Sequence, residues 1–375
     1  MTPRLARTHT FFPYPQAFLR EEEDLVGIFR DVGRRGAFIQ QEDLRRFEAN
    51  LARYLRAHRV IGVANATDGL LIALRAAGVE PGTEVIFSSH TMVATAAAIH
   101  FAGAIPVPVE CSADHLIDPQ AVAAAITSRT SAILPTQLNG RTADMEALAW
   151  LASRHGLRMV EDAAQALGSR FAGQCAGTFG AAAAVSFYPA KLLGCLGDGG
   201  AVIANQEEVA DRVWALHDHG RDAHGHLTGW GLNSRLDNLQ AAILDYRLEK
   251  HDAAIARRRE LARAYGAALA EVAEVVRPPA PDADALHFDV YQNYEIEAEE
   301  RDRLREFLAE RGVGTLVPWG GKAVHQCAAL GLEARLPTTE KLFERLLLLP
   351  MHAWLTDDDV AMVAGAVREF YRGES

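Results

Sequence analysis

Ser186-Phe187-Tyr188-Pro189-Ala190-Lys191-Leu192-Leu193-Gly194-Cys195-Leu196-Gly197-Asp198-Gly199-Gly200 is the stretch on which the reading of this 375-residue chain turns. It follows an apolar run, Ala182–Phe187, that reads as a buried strand. A lysine placed just beyond a buried strand, among apolar neighbours, loses stability as a cation and becomes a candidate nucleophilic amine. The glycines that follow do not form G-x-G-x-x-G or G-x-x-x-x-G-K-[ST], so neither nucleotide fingerprint is present. Taken alone, the stretch is also compatible with a glycine-rich hairpin carrying a surface lysine.

On either side of it, apolar runs alternate with helix-like segments. Val85–Phe87, Ile105–Val109, Ala132–Leu134, Leu157–Val160, Ala182–Phe187 and Ala201–Ala204 read as strands, and Pro119–Ile126 and Asp144–His155 as helices between them. Before them, Leu44, Phe47, Leu51 and Leu55 form one helical stripe over residues 42–56. This β-α alternation predicts an α/β fold with a mostly parallel sheet between helices, and a site at the carboxyl ends of the strands. Two further segments could line such a site. Ala64-Asn65-Ala66-Thr67-Asp68-Gly69-Leu70 opens a helix, where free N–H groups and the Thr67 hydroxyl can hold a phosphate; taken alone, an ordinary N-cap with Asp68 as a cap residue is the better reading, and the Asp68 charge argues against a phosphate. Arg158-Met159-Val160-Glu161-Asp162-Ala163-Ala164-Gln165 ends a strand in carboxylates. Asp162 there can face a metal, a ribose hydroxyl or a protonated ring nitrogen, or simply cap a helix.

From about residue 240 the texture changes. Residues 238–265 read as one long helix, straight or bent, with Gly266 just past its end, 288–296 and 314–317 as strands, and 302–311 as an amphipathic helix stopped by Gly312. Thr356 and Asp359 mark the start of a last helix. The expected organisation is a large α/β domain over 1–245 and, over 246–375, a connecting helix with a smaller α+β domain.

Composition narrows the function classes. Lys and Arg total 38 against 49 Asp and Glu, a net charge of −11, which disfavours non-specific binding to nucleic acid or to an anionic membrane. No stretch approaches the ~18 apolar residues of a membrane span. The amino-terminal MTPRLARTHTFFPYPQ lacks the apolar core of a secretory leader. Cys111, Cys175, Cys195 and Cys327 form no C-x-x-C pair, so a reducing, cytoplasmic setting is expected. His217, His219, His224 and His226 lie in a polar loop without the helical i, i+4 spacing of zinc signatures, and no metal is expected.

In combination and in this order, NATDGLLIAL, PGTEVIFSSHTMVATAAAI, VEDAAQALGS, SFYPAKLLGCLGDGG and GLNSRLDNLQAAIL resemble the DegT/DnrJ/EryC1/StrS family of sugar aminotransferases. The likeness runs from about Gly36 to Tyr371, and takes in GTLVPWGGKAVHQ and LLPMH near the carboxyl terminus. It implies fold type I, a seven-stranded sheet, and dependence on pyridoxal phosphate (PLP). By resemblance, Lys191 is the Schiff-base lysine and Asp162 the partner of the pyridine nitrogen. Gln165 lies near the ring oxygen, and Ala66, Thr67 and Ser186 contact the phosphate. Asn233 reaches the phosphate of a partner subunit, which implies a homodimer with shared active sites. Met92 stands where the family usually places an aromatic on the ring; its thioether can pack there instead. Gln137-Leu138-Asn139 stands where the family often carries a histidine.

The resemblance also implies glutamate as donor and a nucleotide-linked keto-sugar as acceptor. Lys322, His325 and Arg235 are candidate partners for its diphosphate, and Tyr188 and Trp319 candidates for packing on its rings. A lysine at position 191, where dehydratase members carry histidine, argues for transamination. The competing expectations are a cyclitol or other non-sugar ketone as acceptor, and a PLP-binding regulatory protein without turnover.

Overall fold

Strands buried on both faces are what the apolar runs demand, and a computed structural model, which describes residues 9–373, supplies them. Seven strands form the main sheet: β1 (Arg59–Val63), β2 (Glu84–Ser88), β3 (Ile105–Val109), β4 (Thr130–Leu134), β5 (Arg158–Asp162), β6 (Ala182–Ser186) and β7 (Gly200–Ala204). Their order is β1-β7-β6-β5-β4-β2-β3. Only β7 runs against the rest: it pairs antiparallel with β1 and β6, and every other pairing is parallel. The predicted α/β class and mostly parallel seven-stranded sheet are therefore present.

Alternation along each strand divides the core. Ile61, Val63, Ala182, Ala184 and Val202 face a layer built on the Ala66–Ala76 helix. Val60, Ala183, Val185, Ala201 and Ile203 face the Glu42–Leu55 helix, whose predicted stripe of Leu44, Phe47, Leu51 and Leu55 is buried there. The alanines of β6 have a purpose in this packing. A Cβ added at Gly69 would come within 3.2 Å of the Ala184 methyl, so the helix that carries Thr67 lies hard against the strand that leads to Lys191.

A second core follows residue 250. Val275–Val276, Tyr294–Ala298 and Leu346–Leu349 form a three-stranded antiparallel sheet. Leu261, Tyr265, Ile296, Leu304, Leu308, Val363 and Val367 pack around it. The last helix, Asp357–Arg372, begins as predicted, with Thr356 and Asp359 exchanging side-chain-to-backbone bonds of 3.1 and 2.8 Å.

Several local expectations are corrected. Residues 238–265 are two helices, Asn238–Leu248 and His251–Ala268, and Gly266 lies inside the second rather than beyond it. The stretch 288–296 is broken into His287–Phe288 and Tyr294–Ala298 by Tyr291, held at φ +50°. Residues 314–317 form no strand; Leu316 alone bridges to Leu348, while Gly314 donates to the His9 carbonyl at 2.7 Å. Five strands lie outside the expected set: Arg59–Val63, Leu346–Leu349 and the two-residue Arg170–Phe171, Gln174–Cys175 and Val275–Val276. Residues 1–8, the start of the segment read for a leader, lie outside the described residues. Among the described residues no helix is long and apolar enough to cross a membrane.

Candidate active site

The carboxyl ends of the parallel strands open onto a cavity of about 340 Å³. Its walls include Ala66, Thr67, Met92, Asp162, Gln165, Ser186, Tyr188, Lys191 and Trp319. Nine of the thirteen candidate residues named from the sequence thus meet around one space.

Lys191 arrives there through the turn between β6 and β7. Phe187 N–H donates to Gly199 C=O and Cys195 N–H to Phe187 C=O, both at 2.8 Å, so the two strand ends are tied while the lysine loop bulges between them. Gly194 is required in that loop: a Cβ there would sit 2.6 Å from the Pro189 oxygen. Burial lowers the pKa of Lys191 to about 8, and the nearby Asp162 carboxylate only partly opposes this.

Asp162 is the last residue of β5 and is 4 % exposed. Burial raises its pKa; a 2.7 Å hydrogen bond from Thr95 Oγ1, the Ala164 N–H at 3.1 Å and the Lys191 charge act the other way. Thr95 belongs to a hydroxyl chain, with Thr91 Oγ1 2.9 Å from both Thr95 Oγ1 and Thr136 Oγ1. None of these three threonines was legible as a site residue: threonines spaced through 91–136 converge only when β2, β4 and β5 lie side by side. Glu161, the other half of the acidic pair, points to the opposite face. It accepts from Gln137 Nε2 and from the amides of Gly177, Phe179 and Gly180, between 2.7 and 3.0 Å, and is structural.

The Ala66–Ala76 helix presents its amino-terminal end to the cavity. Asn65, not Asp68, is the cap residue, accepting the Asp68 amide at 2.9 Å, while Asp68 accepts from Ser234 Oγ at 2.7 Å. The first-turn amides of Ala66 and Thr67 have no intrahelical acceptor. Gly200 allows this close approach, since a Cβ would lie 2.6 and 2.8 Å from the Asn65 carbonyl carbon and the Ala66 nitrogen. Gln165 has its Oε1 engaged by the Asn139 amide at 3.0 Å and Asn293 Nδ2 at 3.2 Å, which leaves its Nε2 to donate. Of the 137–139 segment Leu138 lines the cavity, and Met92 stands on the wall half-exposed.

Four candidates are placed elsewhere. Arg235 pairs with Asp218 at 3.0 Å, Lys322 is exposed, and Asn233 is exposed beside the loop that carries Leu227 and Trp230. His325 is buried, with Nδ1 2.7 Å from Ser89 Oγ and Nε2 3.2 Å from Glu340. Among the described residues no group of three or more His, Cys, Asp or Glu side chains could hold a metal ion, the 217–226 histidines included.

This donor set fits PLP: amides at a helix start with two hydroxyls for a phosphate, a buried carboxylate for a pyridinium nitrogen, and an amine on the same cavity. Such a lysine on such a sheet defines a PLP-dependent aminotransferase of fold type I. The comparisons agree. The DegT/DnrJ/EryC1/StrS aminotransferase family matches residues 20–368, and the chain belongs to it. The dTDP-3-amino-3,4,6-trideoxy-alpha-D-glucose transaminase of Streptomyces venezuelae is 43% identical over 94% of this chain and 93% of its own. A pleiotropic regulatory protein of Geobacillus stearothermophilus is 41% identical over 93% and 95%. The crystal structure of S. venezuelae DesV in complex with a ketimine intermediate superposes with a TM-score of 0.92 at 39% identity, covering 97% of this chain and 98% of that one.

Proposed function

We propose that this chain moves an amino group from glutamate to the ketone of a nucleotide-linked sugar. The observation that carries the reading is the placing of Lys191, its pKa lowered, and buried Asp162 on one cavity with the helix start at Ala66 and Thr67. The names of similar proteins, a dTDP-sugar transaminase among them, support the acceptor class.

Ala66 and Thr67 amides and the Thr67 and Ser186 hydroxyls would hold the PLP phosphate, and Asp162 the ring nitrogen. Bound there, PLP supplies an electrophilic carbonyl carbon and an electron-withdrawing ring. With a pKa near 8, Lys191 Nζ is a free amine often enough near neutrality to take a proton from the donor Cα in one half-reaction and, as the ammonium, to give one to the acceptor carbon in the other. Met92 would pack on the ring, and Tyr188 and Trp319 would wall the acceptor's approach. Asn233 would act across a homodimer interface, which the exposed Leu227 and Trp230 of the neighbouring loop support. Lys322 and Arg235 lie off this cavity, so a diphosphate contact from them would have to be made in the partner subunit's site, and buried His325, engaged by Ser89 and Glu340, is not free to make one. Four unpaired cysteines support a reducing, cytoplasmic setting.

The test is a panel of nucleotide-linked keto-sugars and cyclitol ketones offered with glutamate, the aminated product read by mass. Amination of a keto-sugar is the expected result; amination of cyclitols alone would replace the acceptor. The similarity to a regulatory protein supports a second reading, a PLP-binding regulator without turnover. Protein that binds PLP but transfers no nitrogen from any amino acid would favour it.

A further inference from the structure

Lys191 is held from outside its own loop. Gln292 lies in the segment that interrupts the strand expected over 288–296, and is 7 % exposed. Its Nε2 donates to the Ala190 carbonyl at 2.9 Å and its Oε1 accepts the Leu192 amide at 2.8 Å. One side-chain amide thus grips the peptide groups on both sides of the lysine, as a neighbouring strand would.

The grip is itself anchored. The Arg258 guanidinium, buried, donates to the carbonyls of Tyr291, Gln292 and Met351 at 2.8, 3.1 and 2.9 Å. Burial lowers its pKa to about 10. A buried cation spent on three carbonyls fixes the backbone that presents Gln292. The next residue, Asn293, donates to Gln165 Oε1 and to Asn139 Oδ1. The segment therefore touches the amine side and the Gln165 side of the cavity together.

We propose that Gln292 is a positioning residue for Lys191, setting where its amine stands in the cavity and keeping water from it. This rests on reading Lys191 as the reacting amine. The clamp spans a long sequence separation, so it exists only once the carboxyl-terminal segment has docked.

The experiment compares parent, Gln292→Leu, Gln292→Asn and Lys191→Ala. On cofactor-free protein, trinitrobenzenesulfonate labelling at position 191 is followed against pH by peptide mass spectrometry. Gln292→Leu removes both bonds, and its labelling midpoint is expected to rise by about one unit from the parent's as water enters. With PLP, turnover should fall about tenfold to a hundredfold while KM changes by less than about threefold. Gln292→Asn keeps an amide one carbon too short to span both partners and should show the same displacement; it decides the matter if the leucine variant does not fold. A folded variant with the parent's midpoint and turnover overturns the proposal. If Lys191→Ala still turns over, the reading of the lysine falls instead, and the labelling midpoints still judge the clamp on their own.

Discussion

Two buried ionic regions of this molecule obey opposite rules. Around the cavity, burial prevails: Lys191 is moved down to about 8 and Asp162 up, each toward its neutral form. Behind the cavity wall, pairing prevails. His90 and His115 meet Glu295 at 3.6 and 2.9 Å, and His115 also meets Glu297 at 3.3 Å. Burial pulls both histidines down, yet the carboxylates lift His90 to about 10 and His115 to about 9, and the histidines hold Glu295 well below the usual carboxylate range. The difference is proximity and hydrogen bonding, not depth. The histidine cluster has its countercharges within the chain, although His90 Nε2 and Glu295 Oε2, 3.6 Å apart, make no hydrogen bond, and His90 packs edge-on against Trp319 and Phe343 at 5.5 and 5.1 Å. The cavity pair has no such close ion pairing, which is the state expected of groups awaiting a charged ligand.

The largest expected effect breaks the cavity side outright: Lys191→Ala should lower turnover at least about a thousandfold, read as amino transfer from glutamate. Asp162→Asn comes next, with turnover down about a hundredfold or more. In the cofactor-free protein the same change should lower the Lys191 labelling midpoint further, because the one opposing charge is gone. An unchanged midpoint would mean the two groups do not sense each other.

On the paired side, Glu295→Gln should destabilise the fold by about 3 kcal/mol, measured by denaturant unfolding, since it strands buried His90. The pH dependence follows from the raised histidines. Their folded pKa values exceed the unfolded ~6.5, so their stabilisation is complete below about pH 6.5 and is lost as pH rises through 9 to 10. Glu295, depressed in the fold, adds stability that disappears as pH falls below its unfolded value. A His115→Asn variant should therefore lose stability less steeply between pH 6.5 and 10 than the parent. Equal slopes would place the cluster's charges elsewhere. The smallest effect is Thr95→Val, which removes one donor from Asp162 and should cost about 1–3 kcal/mol of stability or about tenfold in turnover.

The main sheet could be read from its apolar runs because strands buried on both faces leave an unbroken signature. Strand β1 escaped notice, its Gly62 being required by Leu236 and Leu44, whose side chains a Cβ would meet at 2.8 and 2.9 Å. In the carboxyl-terminal part the pattern misled. Residues 288–296 alternate like a strand, but contacts to Gly140 and Arg258 bend them at Tyr291 into the clamp on Lys191.

Local chemistry written in consecutive residues was enough to single out Lys191, Asp162 and Thr67 as candidates, while Ser186 came only from the family resemblance. A lysine after a strand, a carboxylate at a strand end and small residues at a helix start each carry their meaning in a few neighbours. Folding alone decided that Thr91, Thr95 and Thr136 would serve Asp162, that Gln292 would hold the lysine, and that His325 would be turned inward to Ser89. Those relations join residues tens to hundreds of positions apart, and such pairs acquire chemistry only when packing brings them within hydrogen-bond reach.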